Sequence, residues 1–126
     1  MKISISTSTG GHPLPYFDDE PELRSWLLQA LLMDCDGQEE LYLGELAKGE
    51  AGETILDLYN NFIHLYIYPD LVVLEDMSAL SLWNGEGAEE PRSCMFLSPA
   101  AARQLILDWL EAKRQWYAEK RRLAVN

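Results

Sequence analysis

Residues 54–77, TILDLYNNFIHLYIYPDLVVLEDM, decide the fold. They read as three strands joined by two tight turns, Asn60-Asn61 and Pro69-Asp70. Asn tolerates positive φ and suits a two-residue hairpin loop, while Pro presets φ at the first turn position. Loop length then sets register. The first turn places Tyr59 opposite Phe62, Leu58 opposite Ile63, Asp57 opposite His64 and Leu56 opposite Leu65. The second places Tyr68 opposite Leu71, Ile67 opposite Val72, Tyr66 opposite Val73 and His64 opposite Glu75.

Alternate residues of a strand share a face. One face of this meander gathers Leu56, Leu58, Ile63, Leu65, Ile67, Val72 and Leu74, with Asp76 at its end, and is the expected core. The other carries Ile55, Asp57, Tyr59, Phe62, His64, Tyr66, Tyr68, Leu71, Val73, Glu75 and Met77. It sets aromatic rings around a polar row of Asp57, His64 and Glu75. This second face is either open to a partner or a second core, and the burial of Tyr66 separates the two.

Working outward, the 126 residues suffice for one domain with a real core. No run is long and apolar enough to span a membrane, and MKISISTSTGG lacks an apolar signal segment, so cytoplasmic residence is expected. Cys35 and Cys94 have neither CxxC spacing nor a neighbouring His pair and read as buried free thiols. The net charge is −11. That balance disfavours direct binding to nucleic acid or an anionic membrane, although it also serves plain solubility. The charge is uneven: residues 1–101 carry 18 acidic and 4 basic side chains, residues 102–126 carry 3 and 6.

Lys2–Thr7 alternates as a short strand, and Ser8–Tyr16, with Gly10-Gly11 and two prolines, reads as a loop. A helix follows, capped by Asp18 or Asp19 with Pro21 in its first turn, and Leu23, Trp26, Leu27, Ala30 and Leu31 form its core stripe. Asp36-Gly37 ends it. Leu41–Ala47 reads as a strand, and KGEAGE (48–53) as a mobile turn. Ala79–Trp83 is ambiguous, NGEGAEEP (84–91) is an acidic loop, and Ser93–Leu97 is a last strand. Ser98-Pro99 opens a long helix: a capping hydroxyl, then proline at the first helical position. The expected architecture is a single α+β domain, an antiparallel sheet of about five to six strands with two helices, the longer one C-terminal.

The row Asp57–His64–Glu75 is the strongest chemical constellation. A carboxylate beside His64 would make it a general acid or base, but no Ser or Cys nucleophile and no oxyanion-hole motif accompany it. Structural pairing or partner contact is the simpler reading, and no catalytic residue is assigned. Metal and cofactor sites are not expected either. His12 and His64 are the only histidines, and DCDGQEE (34–40) is too short for a calcium loop. STGGH (8–12) lacks the lysine of a phosphate-binding loop and reads as a flexible turn. The cations at the end of the last helix could point to RNA, yet in so acidic a chain they read as partners for nearby acids.

FIHLYIYPDLVVLED, the acidic loop after it and LSPAAARQLILDWLEAKRQWY together resemble the small acidic immunity proteins of bacterial toxin–immunity systems, including contact-dependent growth inhibition. The likeness spans roughly the second half of the chain and is one of pattern. It implies a cytosolic inhibitor that covers the active site or substrate surface of a cognate C-terminal toxin domain, often a basic nuclease. An acidic surface with aromatic anchors is physically suited to such a partner, because charge speeds encounter and tyrosines supply contact area. The expected partner-binding residues are Asp57, Tyr59, His64, Tyr66 and Glu75 on the sheet face, with Glu86, Glu89 and Glu90 from the loop. The rivals are an adaptor or homodimeric interaction domain using the aromatic face, and a small hydrolase centred on His64.

Overall fold

The computed structural model describes residues 1–53, 56–59, 62–77 and 93–124, with the backbone alone for 56–59. The order is β1 (Ser4–Thr7), β2 (Pro13–Tyr16), α1 (Glu22–Cys35), α2 (Glu39–Glu50), β3 (Leu56–Tyr59), β4 (Ile63–Ile67), β5 (Val72–Asp76), β6 (Cys94–Leu97) and α3 (Pro99–Ala124). The class is α+β, and the longest helix is C-terminal. The expected single sheet with two helices is corrected, because the strands divide into an antiparallel β1-β2 pair and an antiparallel β3-β4-β5-β6 sheet, with three helices.

Two local readings account for the difference. Leu41–Ala47 is the middle of α2, not a strand. Its buried residues, Glu39, Tyr42, Leu46 and Gly49, recur every three or four positions, the period of a helix face. The loop at 8–16 contains β2. Ser8 N–H donates to the His12 carbonyl at 2.8 Å, Gly11 N–H to the Ser8 carbonyl at 2.9 Å, and His12 N–H to Ser8 Oγ at 3.1 Å. Gly11, at φ 80°, supplies the left-handed residue of this turn. STGGH is therefore a hydrogen-bonded hairpin turn. KGEAGE likewise begins inside α2, which runs through Glu50.

The core is built around α1. Leu27, Leu28, Ala30, Leu31 and Leu32 are fully buried, so this helix is apolar on more than one side. It packs on β2 and on β4, β5 and β6. From the four-stranded sheet Ile63, Leu65, Ile67, Val72 and Leu74 meet it, joined by Met95 and Leu97. The helix α3 closes the core against α2 and β2 with Ala102, Leu105, Ile106 and Trp109. Its start is capped as expected, Ala101 N–H donating to Ser98 Oγ at 3.1 Å. No side chain caps α1. Asp19 instead accepts the Lys2 backbone N–H at 3.0 Å, tying the segment before β1 to that before α1.

The β4–β5 register is as expected, with His64 opposite Glu75 and Ile67 opposite Val72. The β3–β4 register is displaced by two residues: Tyr59 faces His64, Leu58 faces Leu65, Asp57 faces Tyr66 and Leu56 faces Ile67. An even shift leaves the residues within the ladder on their assigned faces. Its cause is visible in α1. The buried Asp34 carboxylate accepts the Phe62 N–H and the Ile63 N–H, each at 3.0 Å, while the Phe62 carbonyl accepts Met77 N–H at 2.9 Å. Phe62 and Ile63 thereby lie outside the β3 ladder, which ends at the Tyr59–His64 pair.

Candidate functional site

Ile63, Leu65, Ile67, Val72 and Leu74 of the four-stranded sheet join the buried core, and the alternate residues His64, Tyr66, Tyr68, Val73 and Glu75 lie on the other face. Those residues are half-buried, between the fully open and fully enclosed alternatives. On β6 the same face ends in Cys94 and Phe96, and Phe96 is 59% exposed. Phe96 was missed by the sequence reading. Its signal was available, since it lies directly opposite Val73 once Ser93–Leu97 is paired with β5.

Tyr66, His64 and Glu75 form one cluster. The His64 and Tyr66 rings, two residues apart on β4, stack with centroids 4.1 Å apart and planes at 27°. Tyr66 Oη donates to Glu75 Oε1 at 3.2 Å, and His64 Nδ1 stands 3.8 Å from the same oxygen. Glu75 is thus hydrogen-bonded to the tyrosine and in ionic range of the imidazole. The other half of the expected row is corrected. Asp57 pairs with Tyr66, not with His64, so the acid–His–acid sequence across three strands is broken. Tyr59 takes the place opposite His64.

Phe62 leaves the face to which alternation assigned it. Phe62 packs edge-to-face on Trp26 of α1 with centroids 5.8 Å apart, and Met77 is buried. Both lie beyond the regular ladder, where strict alternation lapses. Asp76, at the end of the apolar face, accepts from Trp26 Nε1 at 3.4 Å. The ambiguous residues 79–83 and the acidic loop 84–91, with Glu86, Glu89 and Glu90, lie outside the described residues, as do the side chains of Asp57 and Tyr59.

The cluster brings a phenol, an imidazole and a carboxylate together on one sheet face. The thiol nearest to it is Cys94, opposite Glu75, and its pKa is raised by burial and by the Glu75 charge. A catalytic thiol needs the reverse shift, toward thiolate. Cys35 is buried, with its pKa pushed up to about 12 by burial and by the charges of Glu39 and Asp36. The expectation of two buried thiols therefore holds for Cys35 and fails for Cys94, which is exposed. No group of three metal-ligating side chains occurs among the described residues. No helix among them is long and apolar enough to cross a membrane. Comparison of the chain with protein-family models, curated proteins and solved structures finds no match.

Proposed function

We propose that this chain is a non-enzymatic immunity protein that binds and neutralises a cognate basic toxin domain, with nucleases the leading class. One observation carries the reading: among the described residues the alternate side chains Ile63, Leu65, Ile67, Val72 and Leu74 are the buried ones, while the other side of the sheet carries half-buried Tyr66 and Glu75 and exposed Phe96, in a chain of net charge −11. An aromatic centre with an acidic surround fits a surface evolved to hold nucleic-acid phosphates. Rings give desolvated contact area, and the negative field steers a cationic partner into place. The residues assigned to contact are Tyr66, Glu75, His64 and Phe96, with Asp57 and Tyr59 on the adjoining strand. Such an inhibitor acts where the toxin would do damage, which for a nuclease is the cytoplasm. It calls for no cofactor and no direct contact with nucleic acid or membrane.

The test is a binding titration against the C-terminal domain of the neighbouring upstream gene's product. A tight complex is expected, with an association rate that falls as salt rises. Glu75→Lys and Phe96→Ala should each weaken it at least tenfold, and Phe96→Ala, at an exposed position, should do so without changing the melting transition. Absence of a complex at low salt ends the proposal.

A further inference from the structure

Beyond Trp116, α3 buries no side chain among the described residues. Burial along this helix stops at Trp109, the side chains at 112, 113 and 116 are half-buried, and every residue from Tyr117 to Ala124 is exposed. From Arg114 to Ala124 the helix projects about 16 Å beyond the body. It is not a uniformly polar extension. Tyr117 is 41% and Leu123 51% exposed, and Trp116 stands between them with the Lys120 Nζ 5.3 Å above its ring. Residues 113–126 carry five basic and one acidic side chain, a net +4, against −15 for residues 1–112. An amphipathic basic arm is thus held out from an acidic body.

That body has a groove of matching character beside the root of the arm. It encloses about 500 Å³ and is lined by Gly37, Gln38, Glu39, Glu40, Leu41 and Leu110. Leu41 is 51% exposed, an unusual position for leucine on the first turns of a helix whose opposite side is core. Glu40 is exposed on the rim, while Glu39 is already bound to Lys113. The arm cannot fold back into this groove. Leu110 lies on the same rigid helix, a single turn before the arm begins, so an arm that enters must come from another molecule.

We infer that the arm of α3 docks in the Leu41–Leu110 groove of a second copy of this chain, forming a two-fold dimer. Groove and root of the arm are adjacent on each protomer, so one two-fold axis seats both arms at once in antiparallel fashion. Tyr117 and Leu123 supply the apolar contact, and Arg121 and Lys120 meet Glu40 and the acidic start of α2. The interface lies on the helical side of the molecule, so both aromatic sheet faces stay available. The inference does not depend on a toxin.

Sedimentation equilibrium of the full chain at low ionic strength tests it. The expected mass at high loading is twice the 14.4 kDa of one chain, falling toward one chain as salt rises. Tyr117→Asp with Leu123→Asp in the arm, and separately Leu41→Arg in the groove, should each weaken the dimer at least tenfold. Both act at exposed positions, so the circular-dichroism melt should not move. Arg121→Glu and Glu40→Lys should each weaken it and together restore it. A monomer at every concentration overturns the inference, as does a dimer that survives both variants. A dimer lost with the arm changes but indifferent to Leu41→Arg would mean arm-on-arm pairing and also overturns it. So would a monomeric protein whose arm binds phosphatidylserine vesicles.

Discussion

The Asp34 carboxylate, buried in the last turn of α1, accepts the backbone N–H of Ile63 at 3.0 Å across 29 residues of sequence. The same carboxylate accepts Phe62 N–H at 3.0 Å. A helix thus satisfies the two amides that the first hairpin leaves unpaired, and so sets where β4 begins. Replacing Asp34 with Ala strands two amides near the core. Each unsatisfied buried donor costs about 1–3 kcal/mol. Asp34→Ala should therefore lower unfolding free energy by about 2–4 kcal/mol, with Asp34→Asn, which keeps an acceptor oxygen, losing less. Urea titration measures both, and an alanine variant as stable as the parent would refute this role.

This bond also marks the limit of what sequence could tell. The faces of the meander were legible because alternation is local and survives an even slip. The register of β3 against β4 was not, since it depends on an acid in α1 that no spacing rule connects to Phe62. Phe96 could be read only after β6 was placed beside β5. The helix α2 was misread because Leu41 and Leu43, flanking Tyr42, imitate a strand locally, whereas the Glu39–Tyr42–Leu46–Gly49 period that decides it includes a charged residue and a glycine. Glu39 is buried only because Lys113 reaches it from α3, a tertiary pairing invisible in either segment.

That ion pair makes a second prediction. Lys113 Nζ bonds Asp36 at 2.6 Å and also Glu39, whose side chain is 7% exposed. Removing one partner of a buried pair leaves an uncompensated charge and typically costs about 3–5 kcal/mol. Asp36 is exposed and Glu39 nearly enclosed, so Lys113→Met should fall at the lower end. The double variant Lys113→Met with Glu39→Gln should recover much of the loss in a urea-denaturation cycle.

The same site shapes the alkaline limb of stability. Burial opposes the Lys113 charge, but hydrogen bonds and attraction from Asp36 and Glu39 prevail and raise its pKa above the usual 10.5. Its contribution is complete below the unfolded value and disappears as pH rises through the folded one. Cys35, raised from 9.0 to about 12, acts in the same direction, because above pH 9 the unfolded thiol ionises while the folded one does not. Stability should therefore decline from pH 9 upward, and Lys113→Met should flatten only the part above 10.5. Urea midpoints across this range test it; a parallel decline in the two proteins would exclude Lys113.

The thiols should divide cleanly in the folded state. Cys94 is exposed and Cys35 buried, so a disulfide reagent should label one thiol per chain quickly and the second only on unfolding. Burial and the Glu75 charge raise the Cys94 pKa, so labelling should be slower than for an unhindered thiol at neutral pH and should accelerate in Glu75→Gln. Two rapidly labelled thiols would contradict the packing of α1.

Gly49 decides how closely α2 approaches the sheet. A Cβ placed there would stand 2.3 Å from Ile67 Cγ2, well inside van der Waals contact. Two effects compete in Gly49→Ala. Helix propensity favours alanine by about 1 kcal/mol, whereas forcing a methyl into a packed core costs about 1–3 kcal/mol. Ile67 is fully buried and β-branched, so its rotamers leave little room to yield. Steric cost should win, and Gly49→Ala should be net destabilising by about 1–2 kcal/mol. Shortening the neighbour reverses the balance: in an Ile67→Ala background the added methyl fills part of the vacated space, and the same Gly49→Ala change should become stabilising. A thermodynamic cycle of the four proteins measures this coupling, and additivity within error would show that α2 and β4 do not meet at this point.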